Sequence, residues 1–385
     1  MPLKTSKKIA ATSLEGINES SARVFFVGLR WPQHASVSGY DAIIKYLGER
    51  VSIPIQSRWP WYESSNDRLY FRVKNWLSKR VSTILEWALK PTYSFALLRM
   101  ELSVAKHMLF HRRAIYHVLY GETDVCILGF VGKLTRNYVV ASFHDSPQVL
   151  RDCGISKVIS QSLSGVILLG SCQKSYFREY LPEDRIHLVP HGVNSAFFTP
   201  SETLRNRKLS ADDEVLIITV GGHTRDFRTL SLVFRSLRQK LPRVRFVAVS
   251  ANVGNKGEKL SGEDIEHVSG LTDAELRSLY RTASVAVFAF KYAVANNSIL
   301  EAMSCGTPIV ATNIGSVREY VTKEAGILTP ISDVEAMVAG VMTILSSQRL
   351  QEQMSIAARR NAEEFDIETI CLNMKKSYRK IEGVW

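Results

Sequence analysis

Asn296-Asn297-Ser298-Ile299-Leu300-Glu301-Ala302-Met303-Ser304-Cys305-Gly306-Thr307-Pro308-Ile309-Val310-Ala311-Thr312 passes in one short stretch from polar loop to helix, glycine stop and buried strand. Asn296 and Asn297 are good N-caps, because a short side-chain oxygen can take up the orphan N–H groups of a first helical turn. The run 298–304 is helical in pattern, Gly306 supplies the C-terminal stop, and Pro308 opens an apolar β-run. Free N–H groups at such a helix start, backed by the positive end of the helix dipole, make a ready site for phosphate. Glu301 lies one turn inside, in reach of a ribose hydroxyl, so the stretch reads as one wall of a nucleoside-diphosphate pocket.

Working outward, apolar β-rich runs alternate with helical patterns along almost the whole chain. Strands are predicted over 22–28, 115–120, 138–143 and 165–169, and the pattern restarts after Pro200 with 215–220, 245–250, 285–290 and 309–311. Helices are predicted over 229–240, 273–283 and 298–304, then over 333–345 and 349–379. This alternation gives parallel sheet, with ligands at the carboxyl ends of the strands. At 385 residues the chain exceeds one ordinary core and fits two α/β domains of roughly 150–200 residues, joined near 188–201. Segment 67–113 breaks the rhythm: it is long, helical in pattern, and mixes Trp76, Trp87 and Phe95 with Arg72, Lys74, Lys79 and Arg99. Such a basic amphipathic stretch suits an interfacial helix on anionic lipid, and packing onto its own domain explains the same pattern.

With 45% hydrophobic and 22% charged residues the composition is globular. Residues 1–20 are polar, carry Lys4, Lys7 and Lys8, and read as a flexible basic terminus. A net charge of +12 implies anionic partners: phosphorylated metabolites, an acidic membrane face or nucleic acid. No recognised nucleic-acid motif supports the last of these, and none is expected as a partner. The five cysteines, Cys126, Cys153, Cys172, Cys305 and Cys371, are odd in number and lack metal-site spacing. Unpaired thiols in a reducing cytosol fit best. No apolar segment follows the early lysines, and no run approaches the ~18 apolar residues of a membrane span. The expected location is therefore cytoplasmic, with peripheral contact on the inner face of an anionic membrane through 67–113.

After the strand at 215–220 comes Gly221-Gly222-His223-Thr224-Arg225-Asp226-Phe227-Arg228, a glycine turn into a helix with cations at its start. Cations there oppose the helix dipole unless an anion is bound between this helix and the one after Asn297. His223 or Arg225 and Arg228 would then grip a diphosphate; otherwise Arg225 or Arg228 pairs with Asp226 or Glu301. In the first half, His144 ends an apolar strand where a cleft between two such domains would open. It either meets a sugar hydroxyl or is satisfied by Asp145 as a turn element. Gly28 and Gly39 do not form GxGxxG, which disfavours a nicotinamide site. His191, at the domain crossing, is a turn residue or a ligand with equal weight.

Together these residues resemble glycosyltransferase family 4, the retaining, nucleotide-sugar-dependent enzymes of GT-B fold. Pro190, Gly192 and Val193 are similar to the family's crossing motif, and Gly222, His223 and Arg228 fall on its diphosphate clamp. Tyr280 and Ala283 match its YxxA run, and Glu301 to Thr312 resembles EAMxCGxPVVAT almost letter for letter. The resemblance covers 188–321 and thins before His144. It implies two doubly wound Rossmann-like domains facing a cleft: 21–190 for the acceptor, 191–365 for the nucleotide sugar, and 366–385 as a helix returning to the first domain.

Carried across, Glu301 corresponds to a ribose-binding glutamate, and the N–H groups of Asn297 and Ser298 to β-phosphate ligands. Arg228 would neutralise the departing diphosphate, His267 would lie near the base, and His144 would face the donor sugar. Two positions depart from the family: Ala293 stands where the first of its paired glutamates is expected, and His223 replaces the clamp arginine. Arg225 can replace the missing charge, three residues before Arg228. The implied reaction moves a sugar from a UDP- or GDP-linked donor to the hydroxyl of a glycan, lipid-linked or small-molecule acceptor, with no required metal or other cofactor. The rival reading is an inactive nucleotide-sugar-binding partner of the same fold, for which Ala293 is the best argument.

Overall fold

The computed structural model describes residues 23–28, 39–50, 55–58, 95–152, 157–201, 215–222, 224–250, 260, 262 and 265–383. Two six-stranded sheets, with every strand pair parallel, organise them.

The first sheet holds β1 (Val24–Val27), β2 (Ile55–Arg58), β3 (Ile115–Val118), β4 (Tyr138–Phe143), β5 (Gly165–Leu168) and β6 (Ile186–Leu188), in the order β2-β1-β3-β4-β5-β6. Its helices are α1 (Gly39–Arg50), α2 (Phe95–Leu109), α3 (Gly121–Asp124), α4 (Leu128–Thr135), α5 (Pro147–Asp152), α6 (Lys157–Ser162) and α7 (Lys174–Arg178). The second sheet holds β7 (Val215–Val220), β8 (Val244–Val249), β9 (Ile265–Val268), β10 (Val285–Phe288), β11 (Ile309–Thr312) and β12 (Gly326–Thr329), in the order β12-β11-β10-β7-β8-β9. With it run α8 (Phe227–Lys240), α9 (Asp273–Thr282), α10 (Asn297–Ser304), α11 (Val317–Tyr320), α12 (Val334–Leu345), α13 (Gln348–Glu363) and α14 (Ile367–Gly383).

The central strands are apolar on both faces because helices cover both, as parallel sheet requires. Phe25, Tyr116 and Phe143 point into one core of the first sheet, Phe26, Ile115 and Ile167 into the other. The second sheet is divided in the same way, with Ile218 and Phe288 on one side, Ile217 and Phe246 on the other.

The end of the chain differs from its sequence reading. The pattern over 349–379 predicts one helix, whereas α13 and α14 are separate, broken at 364–366. The break is imposed by tertiary pairing: Val193 donates to the Phe365 carbonyl and accepts from the Ile367 N–H, both at 3.0 Å. Ser195 adds a hydroxyl bond to Asp366. The two chain crossings between the sheets are thus tied to each other. Beyond the break, α14 lies along α1 and buries Ile367, Ile370, Met374 and Ile381 in the core of the first sheet. Burying each such side chain is worth about 1.5–3 kcal/mol, against about 1 kcal/mol net for the hydrogen bond between Tyr378 and His117. Apolar contact therefore holds the crossing.

Of the segment 67–113, the part from Phe95 to Leu109 is helix α2, with Leu97, Met100, Val104 and Met108 in the core. Trp76 and Trp87 lie outside the described residues. Among the described residues no helix is long and apolar enough to cross a membrane.

Candidate active site

In the second sheet the chain steps outward from β7 to β8 and β9, then returns to the other side of β7 as β10. The strand order thus reverses between β7 and β10, and it is beyond the carboxyl ends of such a pair that doubly wound sheets place their ligands. Strand β7 runs into Gly221, whose φ of +92° lies in the left-handed region. A Cβ there would also stand 2.8 Å from the Arg225 guanidinium, so the turn is restricted to glycine twice over. Gly222 is exposed and open, its nearest prospective neighbour the Ser250 Cβ at 3.9 Å.

Arg225 was expected to reach the ligand; the structure corrects this. Its side chain is 3% exposed, donates to the Val220 carbonyl and to Asn296 Oδ1, and lies over the rings of Phe290 and Phe288. Burial brings its pKa down to about 10, so it remains a cation at neutral pH. Arg225 is a brace between the glycine turn and the start of α10. Arg228 does emerge: it is exposed in the first turn of α8, and no ion pair joins it to Asp226 or Glu301 among the described residues. Asp226 is engaged as the helix cap, accepting from the Thr229 N–H at 3.0 Å. His223 lies outside the described residues.

Helix α10 is open at its N-terminus. Its N-cap Asn296 makes no side-chain cap bond, and the oxygen that would make it accepts from Arg225 instead. The N–H groups of Asn297 and Ser298 find no acceptor among the described residues, whereas that of Ile299 returns to the Asn296 carbonyl at 3.2 Å. The other end is satisfied: Arg359 donates to the Ser304 carbonyl and to the Phe198 carbonyl. Asn297 Oδ1 is buried without a partner. Its amide nitrogen would lie 2.9 Å from a Cβ on Gly39, at the start of α1, so the two sheets meet here. Glu301 is 4% exposed and accepts from the Tyr280 hydroxyl at 3.1 Å. Burial, then the Glu301 charge, pushes the Tyr280 pKa up, which keeps it a neutral donor. His267 is exposed on β9, an edge strand separated from β7 by β8. It stands apart from this cluster.

Across the cleft, His144 follows the carboxyl end of β4. Its Nδ1 is 3.0 Å from Glu122 Oε1, its backbone N–H donates to Glu122 Oε2, and its ring stacks on Tyr120 at 4.6 Å. Asp145, the neighbour thought able to satisfy it, does not; Glu122 does, from α3, the helix that follows the adjacent strand β3. Asp145 instead has its pKa raised to about 6, by burial first and then by the Glu122 charge. His144 Nε2 is buried with no partner. His191 is similar: its backbone N–H donates to the Tyr320 hydroxyl at 3.1 Å, but its Nδ1 is buried and unpartnered. The two rings lie 5.6 Å apart, with the Tyr40 ring edge-on to both. Burial, then His144, brings the His191 pKa down to about 3, so its ring is neutral.

The sequence reading missed Glu122, Tyr40 and Tyr120 entirely. Their only signal is position at the end or start of an element, and that carries meaning only once β3 and β4 are known to be neighbours. Assembled, the cleft offers an uncapped helix start and a free cation on one wall. Two imidazoles with orphan nitrogens, and the orphan Asn297 oxygen, lie beside it. Orphan buried polar atoms carry an energetic cost that a ligand or water relieves. The arrangement suits a molecule that is anionic at one end and rich in hydroxyls at the other.

Residues 200–361 match the family model described as Glycosyl transferases group 1. Over 210 residues the chain is 30% identical to the MMP alpha-(1->4)-mannosyltransferase of Mycolicibacterium hassiacum, covering 51% of this chain and 49% of that protein. It is 22% identical over 254 residues to the phosphatidyl-myo-inositol mannosyltransferase of Mycolicibacterium smegmatis, covering 64% of this chain and 66% of that one. The chain spans about half the length of the curated relatives it matches. Among solved structures, sucrose-phosphate synthase from Thermosynechococcus elongatus aligns with a TM-score of 0.67 at 18% identity, over 94% of this chain and 100% of that one. Anabaena HepE in complex with UDP and glucose aligns with a TM-score of 0.65 at 13% identity, over 92% and 98%. The chain therefore has the two-domain GT-B fold, and its residues 200–361 resemble the group 1 glycosyl transferases whose model they match.

Proposed function

We propose that this protein is a retaining glycosyltransferase of family 4 that moves a sugar from a nucleoside-diphosphate donor to an acceptor hydroxyl in glycolipid, polysaccharide or glycoconjugate synthesis. The observation that carries it is the open N-terminus of α10 at the switch point of the second sheet, with the orphan imidazole nitrogens of His144 and His191 beside it. The Asn297 and Ser298 N–H groups bind the β-phosphate, Arg228 and His223 neutralise it, and Gly222 lets the backbone approach it. Glu301 accepts from the ribose hydroxyls, His267 lies toward the base, and His144 Nε2 meets a donor-sugar hydroxyl.

In the reaction the bond from the anomeric carbon to the diphosphate oxygen breaks as the acceptor oxygen bonds that carbon from the same face. The acceptor proton passes to the departing phosphate. Most of the acceleration then comes from stabilising charge on the leaving group, by fixed N–H dipoles and cations in a site that closure dries.

A second reading has one observation behind it. Ala293, where the family resemblance leads one to expect a glutamate, is 6% exposed and packed in the core of the second sheet. That favours a partner protein that binds the nucleotide sugar without turning it over. Melting temperature measured against UDP, GDP, ADP and their sugars decides, since a ligand of the folded state raises it. UDP is the first choice, as the ligand named for HepE. We expect one diphosphate series to stabilise the wild type and to lose about tenfold or more in affinity in Glu301→Gln, which removes a charge-assisted acceptor. Binding without transfer or hydrolysis of any donor selects the inactive partner; no binding at all overturns both readings.

A further inference from the structure

The charge of the first-sheet wall departs from that of the chain. The protein carries a formal net charge of +12, yet the segments that follow β3, β4, β5 and β6 at their carboxyl ends, 119–124, 144–146, 169–173 and 189–192, contain Glu122, Asp124 and Asp145 and no lysine or arginine. Asp124 is buried and accepts from the Thr123 hydroxyl at 2.7 Å. Glu122 is buried against His144. Asp145 follows that histidine, and burial and then the Glu122 charge raise its pKa to about 6, so it is still largely ionised at neutral pH. On the opposite wall the cations lie about the glycine turn: Arg225 braces it, Arg228 opens α8, and the Lys291 N–H donates to the Thr224 carbonyl at 2.9 Å.

Glu122 also decides what His144 can bind. Its two oxygens take the His144 backbone N–H at 3.3 Å and the ring Nδ1 at 3.0 Å, while the Tyr120 ring stacks on the imidazole at 4.6 Å. A carboxylate only accepts, so the hydrogen between them sits on Nδ1. In the neutral ring Nε2 is then a bare acceptor, and it is buried with no partner. Asn297 Oδ1, another orphan atom at the cleft, accepts as well. Both call for a hydrogen, which a sugar hydroxyl has and an ionised carboxylate or sulfonate has not. A protonated ring would not reverse the preference, because imidazolium and Glu122 together carry no net charge and Asp145 remains beside them. His191 adds no cation, since burial and then His144 bring its pKa down to about 3.

We propose that the donor sugar is neutral and hydroxyl-bearing where it meets this wall, and that Glu122 is the positioning residue that enforces the choice, by holding His144 and by repelling an acidic substituent. This rests on the reading of the cleft as a nucleotide-sugar site with the sugar against His144. Within that reading it selects hexoses and their uncharged derivatives over uronic and sulfonated sugars. An acidic group placed here would lose its water and meet like charge, while the two acceptors stayed unpaired. Glu122 grips His144 at ring and backbone and acts through it.

The test is calorimetric titration of the full chain with UDP, with UDP-glucose against UDP-glucuronate, and with UDP-galactose against UDP-galacturonate; GDP, GDP-mannose and GDP-mannuronate are run in parallel. Each sugar nucleotide is read against the free nucleotide. A neutral donor should bind the wild type at least as tightly as its nucleotide, and its acidic counterpart about tenfold or more weakly. In Glu122→Gln that ratio should shrink to about threefold or less, and Asp145→Asn, which removes the other charge and leaves the bond between Glu122 and His144 in place, should narrow it too. A Glu122 that only supported the fold would weaken both sugars alike and leave the ratio unchanged, which overturns its role. The wild-type comparison stands whatever the folding of the variants. Equal binding of neutral and acidic sugars overturns the proposal and leaves the transferase reading intact, whereas no response to any nucleotide overturns both.

Discussion

His191 and His117 are buried imidazoles whose pKa values fall from 6.5 to about 3, in both cases through burial first and His144 second. The folded protein keeps both neutral across a range in which the unfolded chain would protonate them. Between those values the unfolded state binds more protons, so their contribution to stability is complete above about pH 6.5 and declines as the pH falls toward 3. Each contributes about 1.4 kcal/mol per pH unit within that window. Asp145 acts in the opposite sense: its pKa rises from 3.8 to about 6, so acidification between those values favours the folded state by a similar slope. Below about pH 6 one histidine is offset and roughly one proton of dependence remains. Calorimetric melting should therefore show a temperature that drops as the pH is lowered from about 6.5 to 5. In His191→Phe most of that dependence below pH 6 should vanish; an unchanged slope would mean the imidazole is not held neutral. The histidines were legible in the sequence as residue types, but the orphan nitrogens of His191 and His144 were not, since these depend on what the fold fails to place beside them.

Helix α10 shows how an element becomes a site. Its residues specify the helix, but its N-terminus stays open because Arg225, from a different βα turn, occupies the oxygen of the natural cap. Gly221→Ala should expose this coupling, since a Cβ there is strained by φ and pressed on a guanidinium that has nowhere to go. A loss of about 1–3 kcal/mol in chemical denaturation, with weaker nucleotide binding, is expected. Gly222→Ala, in open space, should cost under about 0.5 kcal/mol; similar losses in both would disprove the special role of position 221. The strands that the sequence did not disclose include β2, β9 and β12, all of them outer strands of the two sheets. An edge strand pairs on one side only and needs no continuous apolar run: β9 is partly exposed throughout, and Leu188 of β6 is 39% exposed. The interior strands, buried on both faces, were read almost to the residue for the opposite reason.

On the scale of the whole molecule, the last helix joins the two sheets into one working unit. From α14, Tyr378 hydrogen-bonds His117 Nδ1 at 2.6 Å; His117 Nε2 meets Ser142 Oγ at 2.7 Å, and Ser142 accepts from Tyr40. That buried chain runs from the C-terminal helix to the tyrosine beside His144 and His191. Nearer the cleft, the Tyr320 hydroxyl donates to the Leu169 carbonyl, and Ser171 bonds Glu319 between the sheets. Tyr378→Phe leaves the buried His117 nitrogen without its partner and should lower stability by about 1–3 kcal/mol in urea titration. Nucleotide affinity, seated on the second sheet, should not change. A loss of affinity instead of stability would show that the chain of hydrogen bonds sets cleft geometry.

By itself the sequence determined the local matters: alternation of strand and helix, the turn at Gly221, the helix start after Asn296, and Glu301 one turn inside it. These follow from periodicity and backbone preference over a few residues, which neighbours in sequence suffice to express. Only the tertiary structure decided that Arg225 turns inward while Arg228 faces out, that Glu122 and not Asp145 holds His144, and that His191 completes the far wall. It also decided where the long C-terminal helix breaks, because that break is made by pairing with Val193 across the chain. Each of these depends on which strands lie side by side and on which polar atoms burial leaves without partners, and neither is a property of any short stretch of sequence.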